Sequence, residues 1–341
     1  VLSLGRRARA LSGDDEAVGS IYPPAVIVHL DGELVPVEQA RVSVFDRGFL
    51  FGDGIYEGLR AALLPALGHN PARRRVIGMQ RHARRMQEGL DAVGIAWDAS
   101  SLPRLTDELL DANGLTDAFI YWQVTRGTPP AGAPVRSRVP VPGTRPTVMG
   151  YCTPLPELPR AGLLAGGRDV PEPATKAASV QPDLRWLRGQ VKSISLLGNL
   201  LASVAAAERG GEEAILVRDG LVTEGSYTNV FIVTPAPPGE RGRVVTPSLE
   251  SASILAGVTR DILIDLDPAI EQRAVRAEEL ESASEVILVG TTTLVTSVPS
   301  LDGRRVGTGE PGPHARRLLG LLLDAIAQGR EDTPASVARA R

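Results

Sequence analysis

The sequence predicts an α+β protein of two domains, and three observations carry that expectation. The chain has 341 residues and 43% hydrophobic content, enough for two cores of ordinary size. Strand and helix signals mix along it without the regular βαβ repetition of a doubly wound sheet. A run with three prolines, Tyr151 to Pro159, interrupts the pattern near its middle. The expected organisation is a flexible extension over 1–24, a small domain over 25–150, a linker over 151–159, a larger domain over 160–328 and a polar tail over 329–341.

The extension ends at Pro23 and Pro24, where regular patterning begins. Val26 to Leu30, Asp31-Gly32 and Leu34 to Val37 read as a hairpin, because Asp-Gly tolerates the positive φ of a type I′ turn. A second β run is expected over Val42 to Phe45, then Asp46-Arg47-Gly48, the glycine-rich segment from Phe51 to Glu57, and Leu59 to Leu64. Pro65 to Gly78, with Gly68, Pro71 and three adjacent arginines, reads as an inserted loop. Met86, Leu90 and Val93 recur at helical spacing within Gln80 to Val93, and Gly94 is placed to stop that helix. Leu102 to Asn113 repeats the pattern, and Phe119 to Thr125 and Thr147 to Cys152 read as strands around a Pro/Gly-rich loop.

In the second half, Ile194 to Arg209 reads as an Ala/Leu-rich helix closed by Gly210-Gly211. Ala214 to Val217, Asp219-Gly220, Leu221 and Asn229 to Val233 give strands around a tight turn. Ile254 to Ile264 and Glu278 to Ser282 read as helices, Glu285 to Val289 as a buried strand, and Arg316 to Ala327 as a closing amphipathic helix.

Composition excludes several classes of function. A net charge of −3 with both signs spread throughout offers no sustained basic field for nucleic acid. No apolar run approaches the roughly 20 residues of a membrane helix. Arg6, Arg7 and Arg9 are not followed by the apolar core of a signal peptide. The single cysteine, Cys152, cannot form an internal disulfide. A soluble, cytoplasmic protein is expected.

Among 37 basic residues only Lys176 and Lys192 are lysine, leaving 37 − 2 = 35 arginines. Arginine replaces lysine freely as a surface charge, but a guanidinium is no substitute for a nucleophilic amine. Composition alone leaves open whether either lysine is there for its amine. Gly52-Asp53-Gly54 likewise lacks the spacing of a dinucleotide fingerprint and the Lys-Ser/Thr of a P-loop, so alone it reads as a tight turn.

Taken in order, the motifs say more. Asp46-Arg-Gly-Phe-Leu-Phe-Gly-Asp-Gly-Ile-Tyr-Glu57, His82-Ala-Arg-Arg85 and Gln123-Val-Thr-Arg-Gly-Thr128 are followed by Asp183-Leu-Arg-Trp-Leu-Arg188 and Val191-Lys-Ser-Ile-Ser-Leu-Leu-Gly198. Thr223-Glu-Gly-Ser-Tyr-Thr-Asn229, Gly257-Val-Thr-Arg260 and Gly290-Thr-Thr-Thr293 complete the series. Over about residues 26–325 this order resembles the class IV aminotransferases, most of all their D-amino acid branch.

The resemblance implies a fold type IV pyridoxal 5'-phosphate enzyme, with a small α/β N-terminal domain, a larger pseudo-barrel C-terminal domain and a homodimer that shares its active sites. Lys192 resembles the Schiff-base lysine, which also moves the α-proton as general acid and base. Lys176 matches no motif and reads as a solvated side chain. Glu224 looks like the carboxylate facing the pyridine nitrogen, where an ionised group favours the protonated ring. Asn229 is expected to support that geometry. Arg85 matches the phosphate-gripping arginine. Val258 and Thr259 sit where a helix opens, so their amides and a hydroxyl can meet the same anion. Thr291 resembles a second hydroxyl donor, Thr292 a residue beside the substrate, and Tyr56 the tyrosine near the substrate carboxylate.

One place departs from the pattern. In the D-amino acid branch an Arg-x-His pair closely follows the block ending at Thr128 and traps the substrate carboxylate across the dimer. Here Pro-Pro-Ala-Gly-Ala-Pro-Val follows instead, and Arg136-Ser-Arg138 comes next. Either Arg136 and Arg138 replace the trap on a longer loop, or they are solvated and the substrate is held differently. The expected reaction is ping-pong transfer from a D-amino acid to pyruvate or 2-oxoglutarate. The alternatives are transamination of branched-chain L-amino acids or (R)-amines, and a 4-amino-4-deoxychorismate lyase.

Overall fold

A computed structural model describes residues 26–66, 71–158, 170–237 and 239–332. The extension expected over 1–24 and most of the expected tail, 333–341, lie outside these residues, as do 159–169 of the region around the expected linker.

The N-terminal part is built on a six-stranded antiparallel sheet. Its strands are β1 (Ile27–Leu30), β2 (Glu33–Pro36), β3 (Gly54–Leu64), β4 (Arg73–Val76), β5 (Ala118–Thr128) and β6 (Arg145–Pro154), in the order β2-β1-β6-β5-β3-β4. The opening hairpin forms as expected, with Asp31 at φ 51 and Gly32 at φ 98. Helix α1 (Arg47–Phe51) precedes β3, and α2 (Met79–Val93) and α3 (Leu102–Ala112) pack on one face of the sheet. Alternation along β3 sends Ile55, Glu57 and Leu59 to that face, where Ile55 and Leu59 join Met86, Leu90, Leu109 and Trp122 in one core. Gly94, at φ 67, ends α2 in the left-handed conformation that glycine adopts without steric cost.

The C-terminal part holds two further sheets. Strands β7 (Ala174–Thr175), β8 (Ala178–Pro182), β9 (Glu213–Arg218), β10 (Leu221–Gly225), β11 (Asn229–Val233) and β12 (Val244–Pro247) come first. They are followed by β13 (Glu271–Arg273), β14 (Glu285–Gly290), β15 (Leu294–Ser297), β16 (Ser300–Leu301) and β17 (Arg304–Arg305). One sheet runs β10-β9-β8-β16-β17, the other β13-β12-β11-β14-β15-β7. The helices among the described residues of this part are α4 (Leu197–Glu208), α5 (Val258–Leu266), α6 (Ala277–Ser282) and α7 (Pro313–Gln328).

The second of these sheets is buried on both faces. Val230 and Ile232 of β11, with Val286 and Leu288 of β14, pack towards Ile215 and Val222 of the other sheet. Their alternating neighbours Phe231, Val233, Ile287 and Val289 pack on α5 and α7. A strand covered on both sides has no polar face, which is why these segments read as continuous apolar runs.

Five expectations need correction. Val42 to Phe45 is not a strand: Asp46 N–H bonds the Ser43 carbonyl, Asp46 then caps α1 through Gly48, and Val42, Val44 and Phe45 remain exposed. The arginine run inside the expected 65–78 loop is β4, an edge strand whose Arg74 reaches Asp111 at 2.7 Å; charge suits an edge that must not pair further. The helix expected from Ile194 starts at Leu197, because the residues before it bridge to β3. The helix expected from Ile254 starts at Val258, because Leu255 turns its N–H to Glu224. The three-proline run also begins inside a strand, since β6 continues to Pro154.

One face of α4 is uncovered. Leu197, Leu200, Leu201 and Val204 are exposed, as are Leu184, Trp186 and Leu187 of the loop that leads to it. No helix among the described residues is long and apolar enough to cross a membrane.

Candidate active site

Lys192 lies on an irregular segment stitched to the start of β3. Tyr56 N–H donates to its carbonyl at 3.0 Å, Ile194 N–H donates to Gly54 at 3.1 Å, and Ser193 bridges Ile55. The backbone is thereby fixed while the side chain is free to enter a cavity. Its amine stands 3.4 Å from Tyr56 Oη and 4.4 Å above the Tyr56 ring.

Glu224, near the end of β10, contributes a carboxylate to the same cavity. Arg185 donates to one of its oxygens at 2.5 Å, and Asn229 Nδ2 and Leu255 N–H donate to the other at 3.2 and 3.1 Å. Burial raises the Glu224 carboxyl above the usual carboxylate range, and the Arg185 guanidinium opposes that rise. Behind it, Asp183 accepts hydrogen bonds from Arg185 at 2.8 Å and from Thr223 Oγ1 at 2.9 Å, and forms an ion pair with Arg218 at 2.9 Å. Charges therefore alternate from Arg218 through Asp183 and Arg185 to Glu224.

Arg85 is fixed just as firmly. Its Nε and Nη2 both donate at 2.8 Å to the two oxygens of Glu57, and its Nη1 donates at 2.8 Å to the Ala256 carbonyl. His82 Nδ1 lies 2.7 Å from Glu57. Although burial alone would raise the Glu57 carboxyl, the Arg85 guanidinium and the His82 ring hold it far below the usual range. The spacing explains how the three meet: His82 and Arg85 share one face of α2 three residues apart, opposite Glu57 on β3.

Gly257 caps α5, so the first N–H groups of that helix, from Val258 and Thr259, have no partner within it and both residues line the cavity. Thr291, after β14, completes this end.

The structure thus brings Tyr56, Arg85, Lys192, Glu224, Asn229, Val258, Thr259 and Thr291 to one cavity. Thr292 is exposed and outside its wall, as are Arg136 and Arg138 of the same chain. Arg136 instead lies over the Phe51 ring at 5.4 Å. Lys176, expected to be solvated, donates at 2.9 Å to Tyr227 Oη, and Tyr227 lines the cavity. Sequence reasoning gave no role to Glu57, His82, Asp183 or Arg185, all of which lay inside the quoted motifs. The one available signal was the helical spacing of His82 and Arg85.

A family model described as amino-transferase class IV matches residues 54–301. The chain belongs to the class IV aminotransferases. A D-alanine aminotransferase of Bacillus licheniformis is 32% identical over 305 residues, covering 88% of this chain and 96% of the relative. Among solved structures, a branched-chain aminotransferase of Thermoproteus uzoniensis with norvaline is 27% identical with a TM-score of 0.72, covering 91% of this chain and 99% of that one. A branched-chain amino acid aminotransferase of Thermobaculum terrenum in its PLP form is 24% identical with a TM-score of 0.72, covering 90% and 95%, and shares the fold. This class IV aminotransferase is therefore an enzyme of fold type IV, a family whose cofactor is pyridoxal phosphate.

Proposed function

We propose that this aminotransferase passes the amino group of a D-amino acid to a 2-oxo acid, pyruvate or 2-oxoglutarate, by a ping-pong sequence, with pyridoxal 5'-phosphate attached at Lys192. The observation that carries the proposal is the single cavity in which the Lys192 amine, the Glu224 carboxylate, the Arg85 guanidinium and the opening turn of α5 meet. That donor set suits this cofactor. A doubly charged phosphate calls for a guanidinium, backbone N–H groups and hydroxyls, here Arg85, Val258, Thr259 and Thr291. A pyridinium calls for a carboxylate, and an aldehyde for a primary amine.

When bound, pyridoxal phosphate supplies an electron sink that lets the α-proton of an amino acid leave. The residues do the rest. Lys192 would accept that proton as general base and give it up again as general acid. Glu224, whose ionised form Arg185 favours and which Asn229 holds in place, would face the ring nitrogen of the bound cofactor and favour a proton there. Tyr56 sits 3.4 Å from the Lys192 amine, where its hydroxyl can orient that amine and the substrate. Arg136 and Arg138 act on the substrate carboxylate in the cavity of a second copy of the chain, with Thr292 at the same entrance. The uncovered apolar face of α4 and its preceding loop supports such a homodimer, since patches of this kind mark association surfaces. The compartment proposed is the cytoplasm, where Cys152 stays reduced.

D-handedness is supported by the 32% identity to a D-alanine aminotransferase. A second reading, a branched-chain L-amino acid aminotransferase, is favoured by the likeness to the Thermoproteus enzyme at a TM-score of 0.72. Purified holoenzyme given D-alanine, L-leucine or an (R)-amine separately, with 2-oxoglutarate, distinguishes them. Pyruvate formation from D-alanine alone is expected. Turnover of L-leucine without D-alanine would replace the first reading by the second, and Lys192→Ala retaining full activity would remove both.

A further inference from the structure

The loop between β5 and β6 leaves the sheet abruptly. The register slips between Thr125 and Thr128, and Gly127 turns at φ 87 where a Cβ would lie 1.7 Å from the Arg145 carbonyl. Beyond this bulge the loop is rich in proline and carries Arg136 and Arg138, both exposed. Left to itself, such a loop would present its two guanidinium groups over a wide range of positions.

Arg47 prevents this. It is the first residue of α1 and only 4% exposed, an unusual position for a charged side chain. Its Nε donates to Asp53 Oδ2 at 2.8 Å, its Nη1 to the Ser137 carbonyl at 2.5 Å and its Nη2 to the Arg138 carbonyl at 3.2 Å. Among the described residues, the hydrogen bonds that reach the 136–138 turn from outside the loop come from this one guanidinium. Its planar fork is suited to gripping two consecutive carbonyls, as a lysine amine is not. The Phe51 ring is flanked by the Arg47 guanidinium at 5.0 Å and by that of Arg136 at 5.4 Å, so the turn is held by its backbone and by one of its side chains.

The support behind Arg47 is rigid. Asp53 also takes two hydrogen bonds from Arg126, at 2.8 and 3.0 Å, and Arg126 donates in turn to the carbonyls of Val93 and Gly94 at the end of α2, each at 2.7 Å. The turn is thereby tied through Asp53 to the helix that also carries Arg85.

We propose that Arg47 is a specificity-positioning residue: by clamping the Ser137 and Arg138 carbonyls and stacking on Phe51, it sets the Arg136-Ser137-Arg138 turn in the one arrangement that meets a substrate carboxylate. This rests on the reading that Arg136 and Arg138 recognise that carboxylate in a second copy's cavity. Arg47 itself touches neither substrate nor cofactor. Its effect is to remove the cost of ordering the turn and the Arg136 side chain before substrate arrives.

Arg47→Met tests the clamp on the holoenzyme, because Asp53 keeps both Arg126 bonds and no buried carboxylate is orphaned. KM for D-alanine and for pyruvate should each rise about tenfold, with kcat within about twofold, the signature of lost substrate binding. Absorbance of the bound cofactor and the thermal midpoint report that the variant is folded and loaded. Arg47→Lys, which keeps the charge without the fork, should show most of the same KM rise, and Phe51→Leu a smaller one. The paired variant Arg136→Ala with Arg138→Ala tests the underlying reading. If the pair raises KM and Arg47→Met does not, or Arg47→Met lowers kcat alone, the clamp is overturned and the carboxylate reading stands. If the pair leaves KM unchanged, the carboxylate reading falls and the clamp with it.

Discussion

Glu57 does not line the cavity, yet it accepts two of the three hydrogen bonds that aim Arg85. Fully buried, it is held ionised by Arg85 and His82, so a preformed ion pair supports the proposed phosphate end. Glu57→Gln keeps the volume and removes the charge. A charge-assisted hydrogen bond contributes about 1.5–3 kcal/mol, so cofactor affinity should fall by about tenfold or more, with kcat near normal at saturating cofactor. Dialysis followed by titration with pyridoxal phosphate measures this, and unchanged retention would assign Glu57 to stability alone. At this scale the candidate residues Lys192, Glu224 and Arg85 were legible because ordered motifs carried them. Glu57, His82, Asp183 and Arg185 were not, because what each does depends on a partner that only tertiary packing supplies: Asp183 and Glu224 meet through Arg185, which stands 39 positions from its glutamate.

Helix α5 shows how an element prepares a site. Its cap, Gly257, has φ −70, open to any residue, so the need for glycine is spatial: a Cβ there would lie 1.8 Å from Asn229 Oδ1. Gly257→Ala should push Asn229 away from Glu224 at a cost of about 1–3 kcal/mol, with loss of activity exceeding loss of fold. Chemical denaturation beside an activity assay checks this, and equal effects on both would argue for packing alone. Most elements were readable because their apolar period was unbroken, as in α2 and the opening hairpin. The misses share a cause. Arg73 to Arg75 looks like a loop because charge usually marks one, but β3 offered an edge and α3 offered the carboxylate of Asp111. Val42 to Phe45 looks like a strand because its apolar residues suit one, but no strand among the described residues pairs with it.

For the molecule as a whole, burial lowers the pKa of His29, His82 and His314 alike. An unfolded chain accepts these protons near pH 6.5 while the folded one resists them. The stability involved is therefore present above that pH and is lost as pH falls towards the folded values. For His82, 1% exposed, the slope reaches about 1.4 kcal/mol per pH unit inside that window. Denaturant unfolding from pH 7.5 to 5 should show the decline, and His82→Gln, which keeps an N–H for Glu57, should flatten it; parallel curves would mean that His82 protonates normally. The two-domain α+β class was legible from alternation and length, whereas the sheet buried on both faces was not, since continuous apolar runs do not say what covers each side. The scarcity of lysine has a practical outcome at this scale. A protease that cuts only after lysine can divide the chain at two points, giving 1–176, 177–192 and 193–341. Reducing the loaded enzyme with borohydride should seal the cofactor onto Lys192 and leave 177–341 as one piece, whereas a block at Lys176 would misplace the anchor. With one lysine inside the cavity and the other bonded to Tyr227 in its wall, a label carried on a lysine side chain reports on that cavity.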